Sequence, residues 1–370
     1  MQNLAQRPTQ SHSISSLDGL RAISILMVVS LHTLQRADAD HSMSTVWYAV
    51  FNGAAGVFIF FVISGFLITS LLLKEAEKWG SIDLRGFYVR RAFRILPPLY
   101  LYIGVVIFVG LLGKLNVAAI DVFGSAFFFH NLVNGPTWSL EHLWSISVEE
   151  QFYLVWPSVL AFCLRKGGIA GRTKAAIFPA TIIALSPLVR VLFRRFGGAI
   201  GRDVSVHFLN FDFIMYGCLV ALLQNTPKFE RVYRFLTQVW YLPPATMLIC
   251  NTLGVVYQNY FNLTIGFTIS GLAISMFMLW CTRNPDYFVG RLLNSWVLTK
   301  IGVLSYSIYL WQTLFLHHDN FRVFAFAPWL GQFPGNWVGF FVAGTASYYI
   351  IERPALRLRD KVMLQLSRSG

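Results

Sequence analysis

Arg21 and His32 stand eleven positions apart in the apolar stretch SISSLDGLRAISILMVVSLHTLQ. On an α-helix that interval is about 1100° of rotation and ~16 Å of rise, close to three full turns, so the two side chains share a face at different depths. A charged side chain inside a membrane span costs roughly 2.5–3.5 kcal/mol or more, which makes each a candidate for function. An imidazole near a water-accessible cavity is the natural base for a hydroxyl, because its ordinary pKa of about 6.5 leaves it mostly neutral at pH 7. A hydroxyl activated in this way would attack an acyl donor such as a thioester. The guanidinium suits anchoring a phosphate or polarising a carbonyl, since it stays charged and donates several hydrogen bonds. Each residue also has a plainer reading. Arg21 snorkels to the inner surface beside Asp18, or His32 bonds a carbonyl at the outer boundary. The shared face favours function for the pair.

Other candidates lie further along. FYVRRAFRILPPLY sets Arg90, Arg91 and Arg94 before Pro97 and Pro98. It reads either as a basic anchor at the inner surface or as a cradle for the phosphates of a cytosolic donor. In the second case Arg91 and Arg94 point the same way and the prolines open the helix end. GVFIFFVISGFLI carries Ser64 and Gly65, small residues that let backbones approach; Ser64 lacks a GxSxG elbow and a paired base, so it is not a nucleophile. GPTWSLEHLWSISVEEQFYLVWP packs Glu141, His142, Glu149 and Glu150 between tryptophans, and Glu149 or Glu150 is placed to orient His32 or to hold a substrate at Arg21. Asp212, in HFLNFDFIMYGCLV, is a lone carboxylate that needs a partner.

The chain that must position these residues has 370 of them, 55% hydrophobic and 13% charged, with 33 Phe, 15 Tyr and 11 Trp. Its mean hydropathy is +0.55. Soluble domains carry nearer a quarter charged residues, so the composition excludes a soluble enzyme, a disordered chain and a repeat array. The net charge of +13 does not indicate nucleic acid here, because hydropathy overrides it. Four single cysteines offer no CxxC pair, metal spacing or disulfide framework, and no metal is expected.

Apolar runs long enough to span lie near 15–35, 46–73, 94–113, 146–164, 174–193, 207–224, 238–256, 262–281, 299–317 and 334–351. The first lacks a cleavage site and is expected to stay. The basic segments 74–94 and 165–174 both face the cytoplasm, which demands an even number of crossings between them. Residues 118–133 therefore do not cross, and read as a re-entrant or surface helix. The result is an all-α bundle of about ten spans in the cytoplasmic membrane, both termini inside, with 22 of the 30 Lys plus Arg on inner segments. It divides into a cytoplasmic N-terminal segment 1–14, a transmembrane domain 15–351 and a basic tail 352–370. Arg194, Arg195 and Arg202 break the charge rule on an outer loop, which reads either as binding of an anionic substrate or as local packing.

Taken together, LDGLRA with Arg21 and His32, FFVISGFLI, FYVRRAFRILP, LWSISVEEQFYLVWP, FDFIMYGCLVA, SYSIYLWQ and SYYIIERP resemble the acyltransferase 3 family of integral membrane O-acyltransferases over nearly the whole chain. The resemblance implies about ten transmembrane helices and transfer of an acyl group, often acetyl from cytosolic acetyl-CoA or another acyl-CoA, to a hydroxyl of an extracytoplasmic glycan or glycolipid. It implies His32 and Arg21 as the catalytic pair and Glu149 as the acidic residue of a WSxxxE motif. Arg90, Arg91 and Arg94, with Ser64 and Gly65 of the SGF element, become donor-binding candidates. Membrane lipid and polysaccharide-assembly proteins are the expected partners. Where the family pattern reads YLWH this chain has Gln312, which cannot act as a base, so catalysis is expected not to depend on that position. Members often carry a C-terminal periplasmic relay domain; this chain ends soon after Glu352, and direct transfer or a separate carrier protein is expected. The rival from another class is a transporter or flippase using Arg21, His32 and Asp212 as an ion or substrate path. Crowding of ionisable residues in the first half favours the enzyme.

Overall fold

A computed structural model describes residues 15–37, 45–165, 168–196, 210–257, 260–316 and 322–368, and those residues are helices and short connections. The chain runs through α1 (Ser15–Ala37), α2 (Thr45–Val50), α3 (Gly53–Trp79), α4 (Leu84–Leu111), α5 (Ala119–Ala126), a 3-10 turn at His130–Leu132, α6 (Trp138–Glu141), α7 (Leu143–Leu164) and α8 (Gly168–Phe196). It continues through α9 (Asp212–Leu223), α10 (Pro227–Leu236), α11 (Leu242–Val256), a π-helical turn Asn262–Gly266 leading into α12 (Phe267–Arg283), α13 (Phe288–Leu293) and α14 (Trp296–Leu316). A 3-10 turn at Pro328–Gly331, α15 (Gly335–Ser347), a π-helical turn Tyr348–Glu352 and α16 (Arg353–Arg368) complete it.

Local chemistry sets the ends of the helices that carry the candidates. Asn52 caps α3 by accepting from the Ala55 amide at 2.9 Å, and Gly80 closes it in the left-handed conformation at φ 75°, its amide bonding the Ala76 carbonyl. Asp83 caps α4 through the Gly86 amide at 2.9 Å. The expected opening at Pro97 and Pro98 does not occur: α4 is continuous through both. The Tyr306 hydroxyl donates to the Ile95 carbonyl at 2.9 Å beside the gap the prolines leave in the helix ladder.

α1 runs through the middle of the bundle between α14 and α3, and α3 packs in turn on α9. Glycines allow these close approaches. A Cβ at Gly302 would overlap the Asp18 carbonyl, and Cβ atoms at Gly65 or Gly217 would overlap the carbonyls of Ile214 or Val62. Gly65 thus serves the α3–α9 crossing.

Among the described residues five helical segments are long and apolar enough to cross a membrane: Ser15–Gln35, Trp47–Trp79, Leu84–Leu111, Ala170–Phe196 and Asn262–Arg283. Apolar α9 and α11 are shorter. This is a multi-pass membrane architecture. The segment 118–133 consists of α5 and the 3-10 turn, packed on α4 and α7; eight helical residues rise only ~12 Å, too little to cross. Residues 1–14 and Arg202 lie outside the described residues, while Arg194 lies over the Tyr260 ring at 4.2 Å.

Candidate active site

Near the ends at which α1 and α4 begin, a cavity of about 90 Å³ is lined by Arg21 of α1, Ser64 of α3, Arg91 and Arg94 of α4, Ser145, Glu149, Glu150 and Tyr153 of α7, and Ser305, Tyr306 and Tyr309 of α14, with Val57, Phe60, Phe61, Ile95 and Ile146 as apolar walls. Four sequence stretches singled out for their chemistry converge here. Arg21 donates from Nη1 to Asp18 Oδ1 at 3.1 Å. Ser64 Oγ donates to Glu149 Oε1, which also accepts from the Tyr153 hydroxyl at 2.9 Å. The Arg91 guanidinium stacks over the Tyr153 ring, 3.8 Å from its centroid. Arg91 Nε and Glu150 Oε1 are buried without a hydrogen-bond partner. Buried polar atoms are normally satisfied, so these two mark where a polar ligand fits. Three guanidiniums and two carboxylates face one small space, a suitable cradle for a phosphate-bearing group.

Arg90 and Gly65 are not among the lining residues. Arg90 turns to Glu75 at 3.5 Å near the α3–α4 connection, and Gly65 faces α9. Of its two expected neighbours, His32 and Arg21, Glu149 shares the cavity with Arg21. The reason is the fold-back before it: α5 and α6 occupy the layer above, so α7 starts at an already buried His142, and Glu149 lies seven residues, ~10 Å, deeper. It therefore does not touch His32.

His32 sits three helical turns along α1 in neutral surroundings. Its Nδ1 lies 2.9 Å from Gln312 Oε1, and its ring meets the edge of Trp138 at 5.3 Å. Next to it on α1, Thr33 Oγ1 accepts from Trp337 Nε1 at 3.0 Å. On α14, Thr313 follows Gln312 and bonds His142 Nδ1 at 3.1 Å and the Tyr102 hydroxyl at 2.9 Å. His142 Nε2 is buried and unpartnered.

His32 is not among the residues lining the cavity; a polar seam separates the two. The Tyr309 hydroxyl bonds Ser145 Oγ at 2.6 Å and donates to the His142 carbonyl at 2.7 Å. Tyr309 and Ser145 face the cavity, and His142 and Thr313 lead on toward Gln312 and His32.

Asp212 finds its partner in Arg190 of α8: the two are buried at 0% and 1% exposure, 2.5 Å apart, with the Arg190 guanidinium 5.1 Å from the Phe267 ring. This pair belongs to the α8–α9 packing and does not join Arg21 or His32. Sequence reasoning did not anticipate Arg190, Gln312 as the neighbour of His32, Tyr153 under Arg91 or Tyr309 in the seam. All four are contacts between different helices, where helical periodicity carries no signal.

The acyltransferase family 3 model, described as an acyltransferase domain, matches residues 14–353. A protein of Bacillus subtilis (strain 168), provisionally named peptidoglycan O-acetyltransferase YrhL, is 29% identical over 82% of this chain and 49% of its own length. The peptidoglycan O-acetyltransferase OatA of Listeria monocytogenes (strain EGD-e) is 27% identical over 81% of this chain and 49% of its own. A protein of Staphylococcus aureus (strain COL), provisionally named an O-acetyltransferase, is 28% identical over 81% and 50%. The chain spans about half the length of these curated relatives. No solved structure matches it.

Proposed function

Because the chain belongs to the acyltransferase 3 family, we propose that it is an O-acyltransferase moving an acyl group, acetyl in the first instance, from cytosolic acyl-CoA to a hydroxyl of a glycan or glycolipid outside the membrane. Peptidoglycan, the polymer in the names of two relatives, is the first acceptor class to try. In this reading about ten spans cross the cytoplasmic membrane with both termini inside, and the cavity end of α1 faces the cytoplasm, as the charge distribution favours. Polysaccharide-assembly proteins and membrane lipid remain the proposed partners.

The donor's phosphates dock on Arg21, Arg91 and Arg94, with Glu149 and Ser64 fixing the wall between them. The pantetheine arm extends along the seam of Ser145 and Tyr309, which must part to admit it, and carries the thioester to His32. There Nε2 takes the proton of the acceptor hydroxyl as its oxygen attacks the carbonyl carbon. The new C–O ester bond forms, the C–S bond breaks, and the CoA thiolate recovers the proton from the imidazolium. The ~16 Å between Arg21 and His32 along α1 is a length an extended pantetheine arm spans.

The observation that carries the reading is the gathering of Arg21, Arg91 and Arg94 at one end of α1 while His32 lies three turns on with a neutral partner. The transport reading needed Asp212 in a common path, and Asp212 is buried against Arg190 instead. The deciding experiment supplies membranes with labelled acetyl-CoA and follows label into glycan, comparing the natural chain with His32→Ala and Arg21→Ala. Full-rate transfer by His32→Ala sinks the base assignment. A solute crossing vesicles with no acyl donor consumed restores the transporter.

A further inference from the structure

Gln312 stands where the resemblance leads one to expect a histidine, and it is buried at 0% exposure with its carbonyl oxygen 2.9 Å from His32 Nδ1. With the amide oxygen turned to the ring, as the structure places it, that oxygen accepts from Nδ1, and a neutral imidazole with its proton on Nδ1 has its lone pair on Nε2. We infer that Gln312 is a positioning residue: its amide oxygen holds the ring of His32 and fixes the tautomer in which Nε2 is free to accept a proton from the acceptor hydroxyl. The role rests on the acyl-transfer reading above, and it replaces the expectation that catalysis is independent of position 312.

Three observations support it. The turn of α14 that carries Gln312 is anchored, because the next residue, Thr313, is bonded to His142, Tyr102 and the Ser139 carbonyl. The spacing of the two helices is set by close backbone contact, since a Cβ at Gly302 of α14 would overlap the Asp18 carbonyl of α1. Finally, Gln312 Nε2 is buried without a partner. An apolar residue would avoid that cost, so the fold keeps an unsatisfied donor at this place together with the carbonyl that meets His32. A third group that orients the base is the general logic of nucleophile activation. A carboxylate there would favour the charged imidazolium and remove the base, whereas a neutral amide orients the ring without that effect.

The test uses the full chain in lipid bilayers, with nitrogen-15 histidine and His32→Gln to identify the His32 signals by NMR. The natural chain should show Nδ1 protonated and Nε2 bare. Gln312→Leu should give mixed tautomers and a kcat for acetyl transfer lowered tenfold or more, with the KM for acetyl-CoA changed less than twofold. Gln312→Glu restores an acceptor. Its kcat should return to within threefold of the natural chain at high pH, and the acidic limb of its pH–rate profile should move to higher pH. Among the described residues Trp138 meets the His32 ring from α6 and Gln312 meets it from α14, neither of which titrates, and the titratable group coupled to it is His142 at the α6–α7 junction. Protonated Nε2 in the natural chain overturns the proposal, as does Gln312→Leu with unchanged tautomer and kcat. Should Gln312→Leu fail to fold, the NMR of the natural chain and of Gln312→Glu decides. If no acyl donor is consumed by any chain while the Nδ1 proton is found and responds to Gln312→Glu, the acyl-transfer reading falls and takes the catalytic use of Nε2 with it, and only the orientation of the His32 ring by Gln312 stands.

Discussion

Arg21 shares its cavity with two further guanidiniums and two carboxylates, whereas His32, ~16 Å along the same helix, meets an amide oxygen and an indole edge. Charged groups can recognise an anion such as a phosphate, but beside a base they would shift its readiness to take a proton. Separating the two along one rigid helix lets one end attract charge while the other stays neutral. The seam of Ser145, Tyr309 and His142 keeps the environments apart.

The sharpest way to break this comparison is His32→Ala. Loss of a general base lowers transfer by roughly 10²–10⁴-fold, while equilibrium binding of acetyl-CoA, measured by calorimetry, should stay within twofold. Weakened donor binding of the same size would mean that the two ends are not separate.

The Arg190–Asp212 pair tests whether a third polar site belongs to either end. Arg190→Leu alone leaves a buried carboxylate uncompensated and should destabilise the protein by about 3–5 kcal/mol, read as a fall in thermal midpoint in detergent. Arg190→Leu with Asp212→Leu should recover most of that and transfer acetyl at the natural rate. A stable but inactive double variant would put the pair into function.

Arg94→Ala should raise the KM for acetyl-CoA about 10–100-fold, the value of a charge-assisted hydrogen bond of 1.5–3 kcal/mol, with kcat changed much less. The opposite split would place Arg94 with the chemistry. Smallest is Ser64→Ala, which removes one donor to Glu149 while Tyr153 keeps its bond. A rise in KM of about twofold to tenfold is expected, the effect of one hydrogen bond worth 0.5–1.5 kcal/mol. A loss greater than a hundredfold would show that Ser64 touches the reacting atoms.

The residues of the cavity were largely legible in advance. Arg21, Ser64, Arg91, Arg94 and Glu149 were conspicuous because charge and small polar side chains are rare in apolar stretches, and the helix period put Arg21 and His32 on one face. Of the two places left open for Glu149, beside His32 or at a substrate on Arg21, the fold puts it in the cavity with Arg21, a choice that depends on how α7 packs and that spacing along the chain does not carry. Arg90 and Gly65 were grouped with the donor-binding candidates by their neighbours in sequence; Arg90 turns to Glu75, and Gly65 packs on α9.

By itself the sequence determined that the chain is helical and membrane-embedded, and which few side chains are the candidates for chemistry, since composition and periodicity follow from the solvent and from the 3.6-residue turn. Only the tertiary structure decided who meets whom. Gln312 reaches His32 from 280 positions away, Arg190 neutralises Asp212 across α8 and α9, and Tyr153 lies under Arg91. Such pairings depend on which helix faces which and at what height, and helix packing sets both through contacts between residues remote in the chain.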